Sequence, residues 1–484
     1  MNSGYLSHTA QSKVWRVVRW HAIVSANVLF GSYFSSAPMA DLSADNAPGK
    51  PKKKLRTIAP IPPVPGWQEE LGALKDLSDT LALSLWRMLR NVRVWHLTDP
   101  TKRAGLFNLT QESQENMGFA CAEAPQLIEP FGVFAFMRRA PGQVGSRQVA
   151  NACRQVSDWA ESRSLMLTGV HFAEAAAIVD AEDPALANHA AMMCRRGVLY
   201  ERSATWYERA FGLAVRLQHS APGVSRDQSI RALLGYGSLM QFLGRFAEAK
   251  KFYDRAATRA KYLQRRSLAA QAMHDLLTFA AELGPFRVGL HYAASALDLY
   301  AINAPQIPGL VHDWGFLLVQ HRHYSHAIPV LKLTTSLAET PGLQALFWGT
   351  LARAAAGAQR VELAEEAKQK AFSRIQVFDE YAPAVLIHLT ESARALGQWE
   401  EARTFADLAV ESSRERKVVE PERIALDLVQ QVKNRIESPP EEPPLEPRRV
   451  ETLNHRMIAR LRRWKAPGSR TPEAPPAGPG NEAV

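Results

Sequence analysis

Cysteine is nearly missing from this chain: Cys121, Cys153 and Cys194 are the only three in 484 residues. An odd, scattered set builds neither a disulfide framework nor a Cys-rich zinc site, and it fits a reducing compartment. Long apolar runs are missing too. The stretch from Ala22 to Phe34 is broken by Ser25, Asn27, Gly31 and Ser32 and falls short of the ~18 residues that a membrane span needs. Catalytic signatures are also lacking: there is no P-loop, no G-x-G-x-x-G after a strand, no H-E-x-x-H and no G-x-S-x-G elbow. An enzyme is therefore not expected, and no residue pattern asks for a cofactor or a metal.

Acidic residues are scarce only at the ends. Residues 1–60 carry eight Lys/Arg against Asp41 and Asp45, and residues 447–484 carry eight against Glu451, Glu473 and Glu482. Of the net charge of +10, the stretch between them contributes −1. A nucleic-acid-binding domain carries its basic face on the fold, so contact with nucleic acid or an anionic membrane is expected only through the basic tails.

What the sequence does have is a repeat. In RALLGYGSLMQFLGRFAEAKKFYDRAATRA, residues 231–260, Leu233, Tyr236, Gly237 and Met240 recur at helical spacing. Gly244-Arg245-Phe246 breaks the run, and Ala249, Phe252, Tyr253 and Ala256 resume it. Five other segments fit the same template, with anchors at Ala210, Ala296, Thr334, Ala371 and Ala409 beside Ala256. A seventh, degenerate hairpin precedes them, pairing 148–167 with 172–179. This pattern over residues 146–415 resembles the tetratricopeptide repeat family, with Leu233 in the place of the family's Trp. Its usual period is about 34 residues; here the anchors lie 46, 40, 38, 37 and 38 apart, so the helices or their connections are longer. The resemblance implies an all-α fold, a right-handed solenoid of six or seven helical hairpins.

Four regions are expected. Residues 1–66 read as a disordered basic leader and linker: Lys52-Lys53-Lys54 and the Pro-rich 60–65 cannot bury a core. Lys13, Arg16 and Arg19 before the apolar stretch give it a signal-like look, while Met39 also opens an ordinary polar leader. A cytoplasmic protein is expected, with export by this segment the alternative. Residues 67–142 form an N-terminal helical unit in which Leu71, Leu74, Leu77, Leu81, Leu85, Leu89 and Val92 make an apolar face that is expected to cap the first repeat, with docking of a partner the alternative. On it, Arg87, Arg90 and Arg93 are expected to be a wet face. Residues 143–436 hold the repeats and a capping helix. Residues 437–484 form a Pro-rich tail with a basic amphipathic helix at 448–465, either tethered or folded back onto the repeats.

His321, His323 and His326, with His312, are the one cluster with ligand-type spacing, but no acidic residue stands near them in sequence. They read as exposed turn histidines. In the resembled family the first helices of successive hairpins line a concave groove for peptides. Mapped here, that face comprises Asn188, Met192, Arg195, Arg196, Arg231, Gln241, His274, Thr278, His312, Phe316, Gln320, Arg353, Glu391 and Arg394. Family members that clamp a carboxylate use Lys and Asn in three adjacent repeats, and only Asn188 echoes this. Five arginines against one glutamate imply an acidic partner segment with apolar anchors. The function so implied is a non-catalytic protein–protein interaction scaffold or adaptor. The alternative is a regulatory or signalling module working with a separate DNA-binding or sensor protein.

Overall fold

The computed structural model describes residues 58–62, 74–107, 122–163, 165–217, 222–338, 340–375, 380–444 and 446–464. The signal-like segment, Cys121 and residues 465–484 lie outside the described residues. Those described hold eighteen α-helices and no strand. None of these helices is long and apolar enough to cross a membrane.

Two helices come first, α1 (Asp79–Leu97) and α2 (Ile128–Arg139). Seven hairpins follow: α3 (Ser146–Glu161) with α4 (Met166–Val179), α5 (Pro184–Arg196) with α6 (Tyr200–Arg216), and α7 (Pro222–Phe242) with α8 (Phe246–Tyr262). Next are α9 (Arg266–Leu283) with α10 (Phe286–Leu299), α11 (Ile307–Gln320) with α12 (Tyr324–Thr334), α13 (Pro341–Gly357) with α14 (Val361–Phe372), and α15 (Ala382–Ala395) with α16 (Trp399–Glu415). Helix α17 (Val419–Lys433) ends the stack and α18 (Pro447–Arg463) lies beyond it.

Local chemistry sets the helix ends. Pro184, Pro308, Pro341, Pro383 and Pro447 sit in first turns, where a missing N–H costs nothing. The Asp183 carboxylate accepts from the Ala185 N–H at 2.7 Å and caps α5. Five of the hairpins turn through a single residue at positive φ: Val198, Gly244, Arg322, Gln359 and Gly397. In each, the amide after that residue reaches back to a carbonyl five positions earlier, as Arg245 N–H does to Met240 O at 2.8 Å. The hydrogen-bond geometry recurs although the residue does not, and only Gly244 and Gly397 fill it without strain.

The anchors Ala210, Ala256, Ala296, Thr334, Ala371 and Ala409 are all fully buried. They lie on second helices, where a small side chain lets helices approach closely. First helices of successive hairpins pack on one another from α5 through α17, whereas second helices pack on their own partner and the next first helix. The first-helix layer is therefore the shorter, inner arc.

The N-terminal unit closes the open end of the stack. α2 packs on α3 and α1 on α4. Leu85, Leu89, Val92 and Trp95 are fully buried. Asp76 caps α4 from 91 residues away, accepting from Leu167 N–H at 3.0 Å and from the Thr168 hydroxyl at 2.7 Å. Arg93, expected on the wet face, is half-buried, and burial lowers its pKa. Of the expected linker, residues 58–62 lie against α6, where the Arg209 guanidinium donates to Ala59 O at 2.9 Å.

The tail behaves differently from a tether as far as residue 464. Its Pro-rich part crosses the turn before α12, and α18 lies across α10, α11 and α12 with Val450, Leu453, Met457 and Leu461 buried. Burying each of those side chains is worth about 2 kcal/mol, which a free helix in water forgoes. Arg266, Arg456 and Arg460 gather at the C-terminal end of α10, where the helix dipole favours cations. The Trp464 indole donates to Ala304 O at 2.9 Å.

Candidate functional site: the inner face of the stack

The stack curls until its seventh hairpin meets its second. The Tyr200 hydroxyl donates to Arg416 O at 2.6 Å, and the Arg416 guanidinium donates back to Arg196 O at 2.8 Å. Arg196 Nε lies 2.8 Å from Glu380 Oε1, and Arg195 is 3.7 Å from the other oxygen. These contacts join segments about 200 residues apart and enclose the face lined by α5, α7, α9, α11, α13 and α15.

The residues expected on this face divide into three groups. Asn188 is an internal strut: its amide donates to Gln228 O at 3.0 Å and to Gln228 Oε1 at 2.9 Å, tying α5 to α7. His312 is buried as well, stacked on Phe347 with ring centroids 4.1 Å apart. It bridges Asp313 Oδ1 at 2.8 Å and Thr350 Oγ1 at 3.0 Å.

The second group is a polar ladder. Arg353 donates to Gln320 Oε1 at 3.2 Å and faces Glu391 at 3.8 Å. Glu391 accepts from Arg394 at 2.6 Å, and Arg394 reaches on to Gln431 of α17. Arg195 stacks over Phe242 at 4.9 Å, and Arg196 also pairs with Glu161. Four of the five arginines thus already face a carboxylate, so the positive groove read from the sequence is largely neutralised from within.

The third group is mixed. Arg231 is exposed, with no ion pair or hydrogen bond among the described residues. Met192, Thr278 and Phe316 are half-buried, Phe316 edge-on to His388 at 5.5 Å. Gln241 donates to Glu282 at 2.9 Å and accepts from the Tyr253 hydroxyl at 2.9 Å. His274 meets Asp313 Oδ2 at 2.8 Å.

The acidic members of the face, Asp275, Glu282, Asp313 and Glu380, escaped sequence reasoning. Asp275 and Asp313 follow His274 and His312 directly, which was the available signal; Glu380 sits before α15, outside any helical period. Burial pushes the Asp275 carboxyl up to about 7, helped by the nearby Asp313 charge. Glu282 is exposed, with the Gln241 amide on its carboxylate. Burial alone would raise Asp313 too, but hydrogen bonds from His274 and His312 outweigh it and hold that carboxyl well below the usual range. Burial would lower His274, and its bond to Asp313 raises it instead.

The turn histidines are not the exposed set expected. His323 is buried under the tail, bonding Glu442 O at 2.7 Å and lying edge-on to Phe286 at 4.9 Å. The carboxylates missing nearby in sequence, Glu441 and Glu442, arrive in space from 116 to 120 residues on. Among the described residues only Asp158, Glu161 and His189 bring three ligand-type atoms within 4.8 Å. Arg154 and Arg196 pair with those carboxylates and His189 with Ser157, so the trio is an ion-pair cluster.

No protein-family model matches this chain, and no curated protein does. Among the solved structures similar to it are two Rap proteins. One is described as the Rap conjugation gene regulator of the plasmid pLS20 in complex with the Phr* peptide: it is 12% identical, covers 68% of this chain and 96% of its own, and has a TM-score of 0.48. The other is described as a Rap protein complexed with competence and sporulation factor, at 10% identity, 74% and 98% coverage and a TM-score of 0.40. Neither likeness bears on what this chain binds. Its all-α solenoid of helical hairpins stands on its own contacts.

Proposed function

We propose that this chain is a non-catalytic, tetratricopeptide-like scaffold that holds a peptide or protein segment against its inner face. One observation carries the reading. Met192, Asp275, Thr278 and Phe316 are half-buried and Arg231 is exposed, each on the first helix of its hairpin, and this supports a shared recognition face. Polar groups at fixed places beside a few apolar ones are what a recognition surface needs. The acidic segment implied by the arginine count loses support, because Arg195, Arg196, Arg353 and Arg394 are already matched. Arg231, exposed and without an ion pair among the described residues, favours a segment with an acidic residue for it and an apolar one for Phe316. A cytoplasmic setting is supported by the free, buried thiols of Cys153 and Cys194.

The test is capture of a partner by the full chain, followed by titration of that partner against Arg231→Glu and Asp275→Lys. Each should weaken binding and steepen or flatten its salt dependence, leaving circular dichroism unchanged. Equal binding by both variants at low salt would move the site elsewhere.

A further inference from the structure

We propose that the docked helix α18 is a binding surface for the phosphate backbone of double-stranded nucleic acid, separate from the inner face. Residues 447–464 hold six arginines against a single glutamate, and no lysine. Docking divides them by role. Arg460 is turned inward to Tyr300 O at 3.0 Å, and Arg456 meets Asp298. Arg448, Arg462 and Arg463 are exposed and make no ion pair among the described residues. Arg449 is 71% exposed and holds only the partly open Glu446.

Arg448, His455 and Arg462 stand seven residues apart, as do Arg449, Arg456 and Arg463. Two turns of helix bring such residues to one side, about 10 Å apart along the axis. Arg448 and Arg462 on one row, and Arg449 and Arg463 on the next, thus face outward on a helix fixed at both ends, with Arg456 between them held by Asp298. Arg287, 72% exposed on α10, shares Glu446 with Arg449 at 2.7 Å, so two guanidiniums face one carboxylate at this end of the ridge. The charge of this helix therefore sits on the folded body, as a nucleic-acid surface requires.

The occupant follows from what the ridge lacks. No large apolar side chain between 447 and 464 is exposed. Protein interfaces are built around buried aromatic or aliphatic anchors, whereas phosphate contacts are polar, positive and rich in arginine. A membrane surface would need the apolar stripe, and Val450, Leu453, Met457 and Leu461 are spent on α10 to α12. A duplex needs only the charge, which it meets with a continuous line of phosphates.

The test uses the full chain, so both tails are present in every sample. A short labelled DNA duplex of arbitrary sequence is titrated by fluorescence anisotropy from low to physiological salt. The triple variant Arg448→Glu/Arg462→Glu/Arg463→Glu should lose at least about tenfold in affinity, and the slope of log K against log salt should shrink by about 2–3. The corresponding Lys triple should keep most of the binding, and both should melt at the wild-type temperature. Wild-type affinity in the Glu triple overturns the proposal, as does failure of the wild type to bind the duplex. Stronger binding to polyglutamate or to phosphatidylserine vesicles than to the duplex overturns it in favour of an acidic protein or a membrane.

Discussion

The Trp314 indole N–H donates to the Asn454 side-chain oxygen at 2.6 Å, joining the fifth hairpin to a helix 140 residues further on. The Asn454 amide donates in turn to His326 O at 2.9 Å, so one asparagine spans both helices of that hairpin. Trp314 is fully buried, and its N–H has no water to turn to. Asn454→Leu leaves the buried indole N–H unmatched and should cost about 1–3 kcal/mol. Trp314→Phe/Asn454→Leu should cost less than the two single changes summed, because they share one bond. Thermal melts of the four proteins decide this. Strict additivity would show that the bond does not hold the tail.

Glu174 is buried on α4 among three side-chain donors. Arg202 Nε donates to it at 3.0 Å, Trp206 Nε1 at 3.0 Å and Cys194 Sγ at 3.4 Å. Removing one partner of a buried pair strands the other, typically at 3–5 kcal/mol. Arg202→Met should therefore destabilise strongly, and Arg202→Met/Glu174→Gln should recover part of the loss. If the double variant melts below the single one, the pair is not what stabilises this corner.

Much of this fold could be read in the chain because its logic is local. A small residue on each second helix, fully buried at Ala210, Ala256, Ala296, Thr334, Ala371 and Ala409, repeats at near-constant spacing and needs no knowledge of the partner. The inner face was legible in outline only. Helical period predicts that Arg195 and Arg353 point the same way. It says nothing of Glu380, which reaches Arg195 and Arg196 from outside any helix after the stack has curled. The same gap explains the tail. The stripe of Val450, Leu453, Met457 and Leu461 shows that α18 must be covered, while the cover, built from α10, α11 and α12, is a product of the assembled stack.

Gly237 shows how tightly the hairpins close. A β-carbon built there would lie 2.6 Å from Tyr253 Cε1. The Tyr253 ring is fully buried and its hydroxyl is bonded to Ser238 at 3.3 Å and Gln241 at 2.9 Å, so it has no room to yield. Gly237→Ala should cost about 1–3 kcal/mol through overpacking, against the gain that Ala normally brings to a helix. A rise in melting temperature would mean that α7 and α8 sit further apart than described.

The pH dependence of stability should carry the mark of Asp275. Its neighbours are His274 and Asp313, with Arg195 near enough to be felt. Burial sets its folded pKa at about 7, above the ordinary value of about 4 in the unfolded chain. Between those values the folded protein holds a proton that the unfolded chain has released. Stability from this group is thus complete below about pH 4 and is lost as pH rises toward and through about 7. His274, whose pKa is also raised, adds stability that falls with rising pH. Asp313 acts in a separate acid window, because its depressed pKa makes its contribution fade only as pH falls. Asp275→Asn keeps the shape and removes the titration. Melting temperature should therefore fall from about pH 5 to about pH 8 in the wild type and fall less in the variant, which should be the more stable of the two at the alkaline end. Parallel curves would show that Asp275 ionises as freely in the folded chain as in the unfolded one, and that the inner face is open to bulk water there.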